Sequence, residues 1–141
     1  SRFVFCWILH PFKLFIFDVG LLGAMVGLEP AALLQYDYGT YKGYFAENFV
    51  AQEFYASGNR KLYTWQSKNA EIEFVRSLAG QLIPIEVKSG TITRAKSLQS
   101  FNTRYHPPYS IILSGKNFYI DREHKTNYYP LYLAGRLSQL V

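Results

Sequence analysis

Nothing in this sequence constrains the fold more than Glu71 to Ser89, where apolar and charged residues alternate in two runs around a short break. Glu71 to Val75 and Leu82 to Lys88 each carry the period of two of a strand with one buried face. Between them, Ser77-Leu-Ala-Gly-Gln81 holds the glycine that a tight reversal needs, so the segment reads as a β-hairpin. A turn centred between Ala79 and Gly80 sets Phe74 across from Ile85, Glu73 from Glu86, Ile72 from Val87 and Glu71 from Lys88. Ile72, Phe74, Ile85 and Val87 then share a core face, and Glu73, Glu86 and Lys88 gather on the other.

Two carboxylates facing each other across a ladder cost a few tenths to about 1 kcal/mol unless a cation lies between them. A hard divalent ion such as Mg²⁺ or Mn²⁺ takes one or two carboxylates, waters and a phosphate oxygen. Lys88 beside it would orient a water and balance charge on a phosphate. The plainer alternative is an amphipathic hairpin with a wet charged face, Glu71 and Lys88 forming an ordinary surface ion pair.

Around the hairpin, Asp18-Val-Gly20 and the apolar residues after it predict a short helix that Gly27 and Pro30 end. Phe45, Phe49, Val50 and Phe54 recur at helical spacing, predicting a helix over Tyr41 to Ser57 that Gly58 closes. Glu47 and Glu53 interrupt its apolar sector. Leu62 to Trp65 reads as a short strand, and Trp65 reads as packing with a base or sugar contact within reach. Thr93 to Tyr105 reads as a helix with Leu98 and Phe101 inward and Arg94, Lys96 and Arg104 outward. Those three cations suit either a phosphate-binding face or a solvated one. Pro107 and Pro108 end that helix, Tyr109 to Leu113 suits a buried strand, Phe118 to Ile120 another, and the tail a last strand and short helix. The order is helix, three strands, helix, strand. A helix between the third and fourth strands requires a crossover, so the fold class is α/β, an α+β mixed sheet with helices packed on it.

At 141 residues the chain fits one domain over residues 1–141. It is 49% hydrophobic and 18% charged, the composition of a globular protein. Cys6 is its single cysteine, which excludes an internal disulfide and a multi-cysteine zinc site and fits the cytoplasm. The apolar run Phe3 to Leu9 is shorter than the roughly 20 residues of a membrane helix, and reads as a strand or packing surface. Residues 1–58 carry three Lys/Arg against five Asp/Glu, whereas residues 59–141 carry twelve against five. That asymmetry suits a nucleic-acid partner, or a scattered solvated surface. His10, His106 and His124 lack ligand spacing.

The string Ile83-Pro-Ile-Glu-Val-Lys-Ser89, behind Glu71-Ile-Glu-Phe74 and a helix containing Glu47, resembles the PD-(D/E)XK nuclease-like superfamily. With Lys13 to Gly20, Leu21-Leu22 and Gly43-Tyr-Phe-Ala-Glu-Asn-Phe-Val50, it is similar to the uncharacterised C-terminal domain of prokaryotic AAA+ superfamily ATPases, from about Lys13 to Tyr132. The resemblance implies a restriction endonuclease-like core and a chain cut from a longer one, with an ATPase domain and a winged-helix segment ahead of it. It implies metal-dependent hydrolysis of DNA or RNA, or an inactive descendant that binds nucleic acid or protein or regulates the ATPase. Glu73 and Glu86 would hold Mg²⁺ or Mn²⁺, Glu47 would assist, and Lys88 would act on water or phosphate. Where that family usually has Asp this chain has Glu73, whose carboxylate reaches one methylene further. No phosphate-binding glycine-rich loop is present, so no ATPase activity is expected of this chain alone.

Overall fold

The computed structural model describes residues 13–35 and 38–141. Cys6, His10 and the run Phe3 to Leu9 lie outside the described residues. Among the described residues, five α-helices accompany a six-stranded mixed sheet. Helix α1 (Val19–Met25) starts where the Asp18 carboxylate accepts from the Leu21 N–H at 2.8 Å, as the sequence predicts. Pro30, read as an end, instead opens a further short helix, α2 (Pro30–Leu34), at a position where its missing N–H is not needed. A 3₁₀ turn over Gly39–Tyr41 leads into α3 (Lys42–Ala56), and Gly58 closes that helix at φ +92°.

The strands are β1 (Tyr63–Ser67), β2 (Ala70–Leu78), β3 (Gln81–Val87), β4 (Ser110–Ser114), β5 (Tyr119–Asp121) and β6 (Thr126–Pro130). Helix α4 (Lys96–Tyr105) carries the crossover between β3 and β4, which pair in parallel. It begins three residues later than Thr93. A 3₁₀ segment, Leu131–Arg136, and α5 (Leu137–Leu140) finish the chain. The sheet order is β1-β2-β3-β4-β6-β5. β4 is buried at every position, with Ile111, Ile112 and Leu113 forming the apolar run that a strand inside a parallel sheet carries.

The two faces of the sheet hold two cores. On the α3 side, Val50, Phe54, Phe74, Ile83, Ile85, Ile111 and Leu113 are buried together. On the α4 side, Ile72, Leu98, Phe101 and Ile112 pack with Trp65. Trp65 meets Phe101 edge-on at 5.2 Å and donates Nε1–H to the Tyr105 hydroxyl at 3.1 Å, so it packs. No helix among the described residues is long and apolar enough to cross a membrane.

The hairpin takes the predicted register from Leu78↔Gln81 to Phe74↔Ile85. The turn is two residues, Ala79 at φ +48° and Gly80 at φ +77°, so the strands run further than the five-residue break implied. Positive φ at both positions matches the turn whose twist suits a hairpin. Ala79 is strained there, because a left-handed conformation costs a residue with a Cβ roughly 1–2 kcal/mol. Ala79→Asn is expected to gain about 1 kcal/mol, read as a higher urea midpoint with unchanged slope. An unmoved midpoint would contradict the strain. Pro84 fits inside β3 because alternation from the turn points its nitrogen away from β2, and pairing with β4 begins only at Ile85.

Beyond Phe74 the predicted ladder fails. Tyr63 pairs with Val75 but Trp65 pairs with Ile72, so β2 holds one more residue than β1 across that interval. This bulge turns Ile72 to the α4 side while Phe74 stays on the α3 side. The expected pairs Glu73–Glu86, Ile72–Val87 and Glu71–Lys88 are therefore absent from the register, and Glu73 and Glu86 come near each other across the cleft without being ladder partners. Glu71 pairs with Gln66 in the backbone instead.

Candidate active site

The bulge delivers the acidic residues to one cleft. The cleft has a volume of about 720 Å³, and Glu47, Glu71, Glu73, Glu86, Lys13 and Lys88 lie along it. α3 supplies Glu47, β2 supplies Glu71 and, within its bulge, Glu73, β3 supplies Glu86, and Lys88 follows directly after β3. Lys13 comes from the extended segment ahead of α1, and Ser97 from the first turn of α4 also lines the cleft. The structure thus brings Glu47, Glu73, Glu86 and Lys88 together. Arg94, Lys96 and Arg104 are exposed and do not line the cleft. Arg104 lies over the Tyr105 ring at 5.4 Å.

Each carboxylate is held differently. Glu73 Oε2 accepts from the Val87 backbone N–H at 3.1 Å, taking the place of the lost ladder partner. Burial, and then the negative charge of Glu86, push the Glu73 carboxyl up to about 7. Glu86 is only 3% exposed. Its Oε1 lies 2.6 Å from Lys88 Nζ, while its buried Oε2 has no hydrogen-bond partner among the described residues. Burial raises the Glu86 carboxyl, and the hydrogen bond and charge of Lys88 oppose that rise. Lys13 Nζ lies 3.0 Å from Glu47 Oε2 and 2.5 Å from Glu71 Oε1. Burial works to lower the Lys13 ammonium, but its bonds to Glu71 and Glu47 outweigh that and raise it.

Among the described residues, no group of three His, Cys, Asp or Glu side chains is arranged to hold a metal ion. Two-carboxylate coordination completed by waters and a phosphate oxygen remains open to a hard cation. The residues fit such an ion at Glu73 and Glu86, because a buried carboxylate oxygen without a partner beside a second carboxylate is a site short of positive charge. His106 and His124 lie elsewhere, at the α4 C-terminus and against Asp121.

Sequence reasoning missed Lys13 as a member of the site, along with Asn48, which fastens its segment to α3. The available signal was a lone cation heading the apolar stretch Lys13 to Phe17. It also missed Arg76, which is 8% exposed, stacks over the Phe54 ring at 4.4 Å and donates to Ser138 Oγ at 3.1 Å.

A mixed α/β domain with a four-carboxylate, two-lysine cleft at the end of a hairpin is the class that fold and site define. The chain belongs to the family described as Domain of unknown function (DUF4143), whose model matches residues 42–133. That family occurs in ATPase-associated proteins. No curated protein and no solved structure matches the chain.

Proposed function

We propose that this domain is a PD-(D/E)XK nuclease-like module of an AAA+ ATPase chain, one that hydrolyses phosphodiester bonds of DNA or RNA with a divalent metal. One observation carries the reading: Glu86 is buried beside Glu73 with an unpartnered oxygen, in an open cleft that also holds Lys88. Burying an incompletely satisfied carboxylate next to another costs stability, and a cation with its phosphate ligand would supply what is missing. Glu73 and Glu86 would hold Mg²⁺ or Mn²⁺, with Glu47 assisting from α3. When bound, the ion would neutralise phosphate charge and lower the pKa of an attacking water. Lys88 is 29% exposed, so its ammonium can leave Glu86 for a phosphate oxygen or for that water. Arg94, Lys96 and Arg104 would contact the nucleic-acid backbone away from the cleft.

The ion pairs of Lys13 and Lys88 favour a second reading, since they already balance much of the acidic charge. On that reading the module does not cleave, and binds nucleic acid or protein or regulates the attached ATPase. The test is Mn²⁺-dependent nicking of a supercoiled plasmid or a single strand. The nuclease reading expects cleavage that is lost in folded Glu86→Ala and Lys88→Ala variants. Cleavage unchanged in both would sink the site. Nucleic-acid affinity that falls steeply with salt, without cleavage, would select the second reading.

A further inference from the structure

Lys13 brings to the cleft an ammonium that the hairpin chemistry does not use. Ion pairs at protein surfaces usually contribute little because both side chains are free to move. This one is anchored by its backbone. The Ile16 N–H donates to Asn48 Oδ1 at 2.8 Å and Asn48 Nδ2 donates back to the Ile16 carbonyl at 2.9 Å. The Val19 N–H donates to Gln52 Oε1 at 2.8 Å, and the Phe15 ring stacks on Phe74 at 5.6 Å. Asn48 is itself 3% exposed, so the two-way amide bond is sheltered from water. The segment is thus laid along α3 with Lys13 at its head, filling the gap between Glu47 and Glu71.

The charges in the cleft divide unevenly. Lys13 answers Glu47 and Glu71, and Lys88 answers one oxygen of Glu86. Among the described residues, Glu73 has no ion-pair partner, and the second oxygen of Glu86 has no partner of any kind. Phosphodiester chemistry is performed elsewhere with two ions, one for the attacking and one for the leaving oxygen. A cleft with four carboxylates has the donors for two, but here one of the two places already holds a cation belonging to the chain.

We propose that the Lys13 ammonium takes the place of a second divalent ion between Glu47 and Glu71, and so limits the cleft to one ion, at Glu73 and Glu86. This rests on the metal-dependent reading given above. Lys13 is then a positioning residue that sets metal stoichiometry. It keeps Glu47 and Glu71 drawn together and compensated while the open side of the cleft takes ion and substrate.

The test counts Mn²⁺ bound per chain by electron paramagnetic resonance titration of the natural chain, Lys13→Met and Lys13→Met/Glu47→Gln. The natural chain is expected to bind one ion, Lys13→Met one more, and the double variant to lose the addition. Equal counts in the natural chain and Lys13→Met overturn the proposal, whatever that count is. An ion taken by Lys13→Met and none by the natural chain supports the role of Lys13 and contradicts the ion at Glu73 and Glu86. Should Lys13→Met be unfolded in chelator, Mn²⁺ is expected to restore its circular dichroism, and failure to restore it overturns the proposal.

Discussion

Lys88→Met is expected to destabilise the domain by about 3 kcal/mol at pH 8, while Glu86→Gln changes stability by less than about 1 kcal/mol in either direction. The asymmetry follows from burial. Removing the lysine leaves the buried Glu86 carboxylate with neither oxygen compensated, and breaking a buried pair from one side costs roughly 3–5 kcal/mol. The lower end applies because Lys88 is itself part-exposed. Removing the glutamate's charge ends its desolvation cost and leaves Lys88, which is part-exposed, free to reach water. Urea denaturation reads both values. On the nuclease reading function should be symmetric where stability is not, with both variants losing about 10²–10³-fold in metal-dependent cleavage, the usual scale for removing a charge-stabilising group. A Glu86→Gln variant as unstable as Lys88→Met would mean that the pair stabilises the fold as a unit.

The second large effect belongs to Glu73. Its carboxyl sits at about 7 in the folded chain against 4.5 ordinarily, with burial as the main cause and Glu86 as the next. Between those values the unfolded chain has released a proton that the folded chain still holds. Folding stability therefore falls as pH rises through this window, and the loss is complete above pH 7. At about 1.4 kcal/mol per unit, reduced for partial exposure, the cost is about 2–3 kcal/mol. Glu73→Gln cannot ionise yet can still accept from the Val87 N–H. It should match the natural chain at pH 4.5 and exceed it by about 2–3 kcal/mol at pH 8. Mn²⁺ should stabilise the natural chain at pH 8, by about 2.7 kcal/mol at a hundred times Kd, and leave Glu73→Gln little changed. Parallel stability curves for the two chains from pH 4.5 to 8 would remove Glu73 from the account.

Local chemistry made much of this fold legible. Gly80 and the alternation on either side of it fix the hairpin register, because a slip of one residue would turn Phe74 and Ile85 to water. The spacing of Phe45, Val50 and Phe54 marks α3, and Asp18 marks the start of α1. What escaped depends on distant partners. No residue type announces the bulge opposite Thr64, so strict alternation puts Ile72 on the face of Phe74, Glu71 across from Lys88 and Glu73 across from Glu86, and the bulge undoes all three. Lys13 meets Glu47 and Glu71 across 34 and 58 positions of chain, contacts that no window of periodicity spans. Glu47 stood out only through resemblance, since an acidic residue on a helix edge ordinarily reaches solvent.

The central claim is that Glu73 and Glu86 form a place for one divalent cation beside Lys88. Anomalous diffraction from crystals of the domain soaked in Mn²⁺ tests it without knowledge of the substrate. The account predicts one anomalous peak bridging the Glu73 and Glu86 carboxylates, with the Lys13 ion pairs intact. No peak there, with Glu86 still paired to Lys88 and the Glu73 carboxylate turned away, would contradict it.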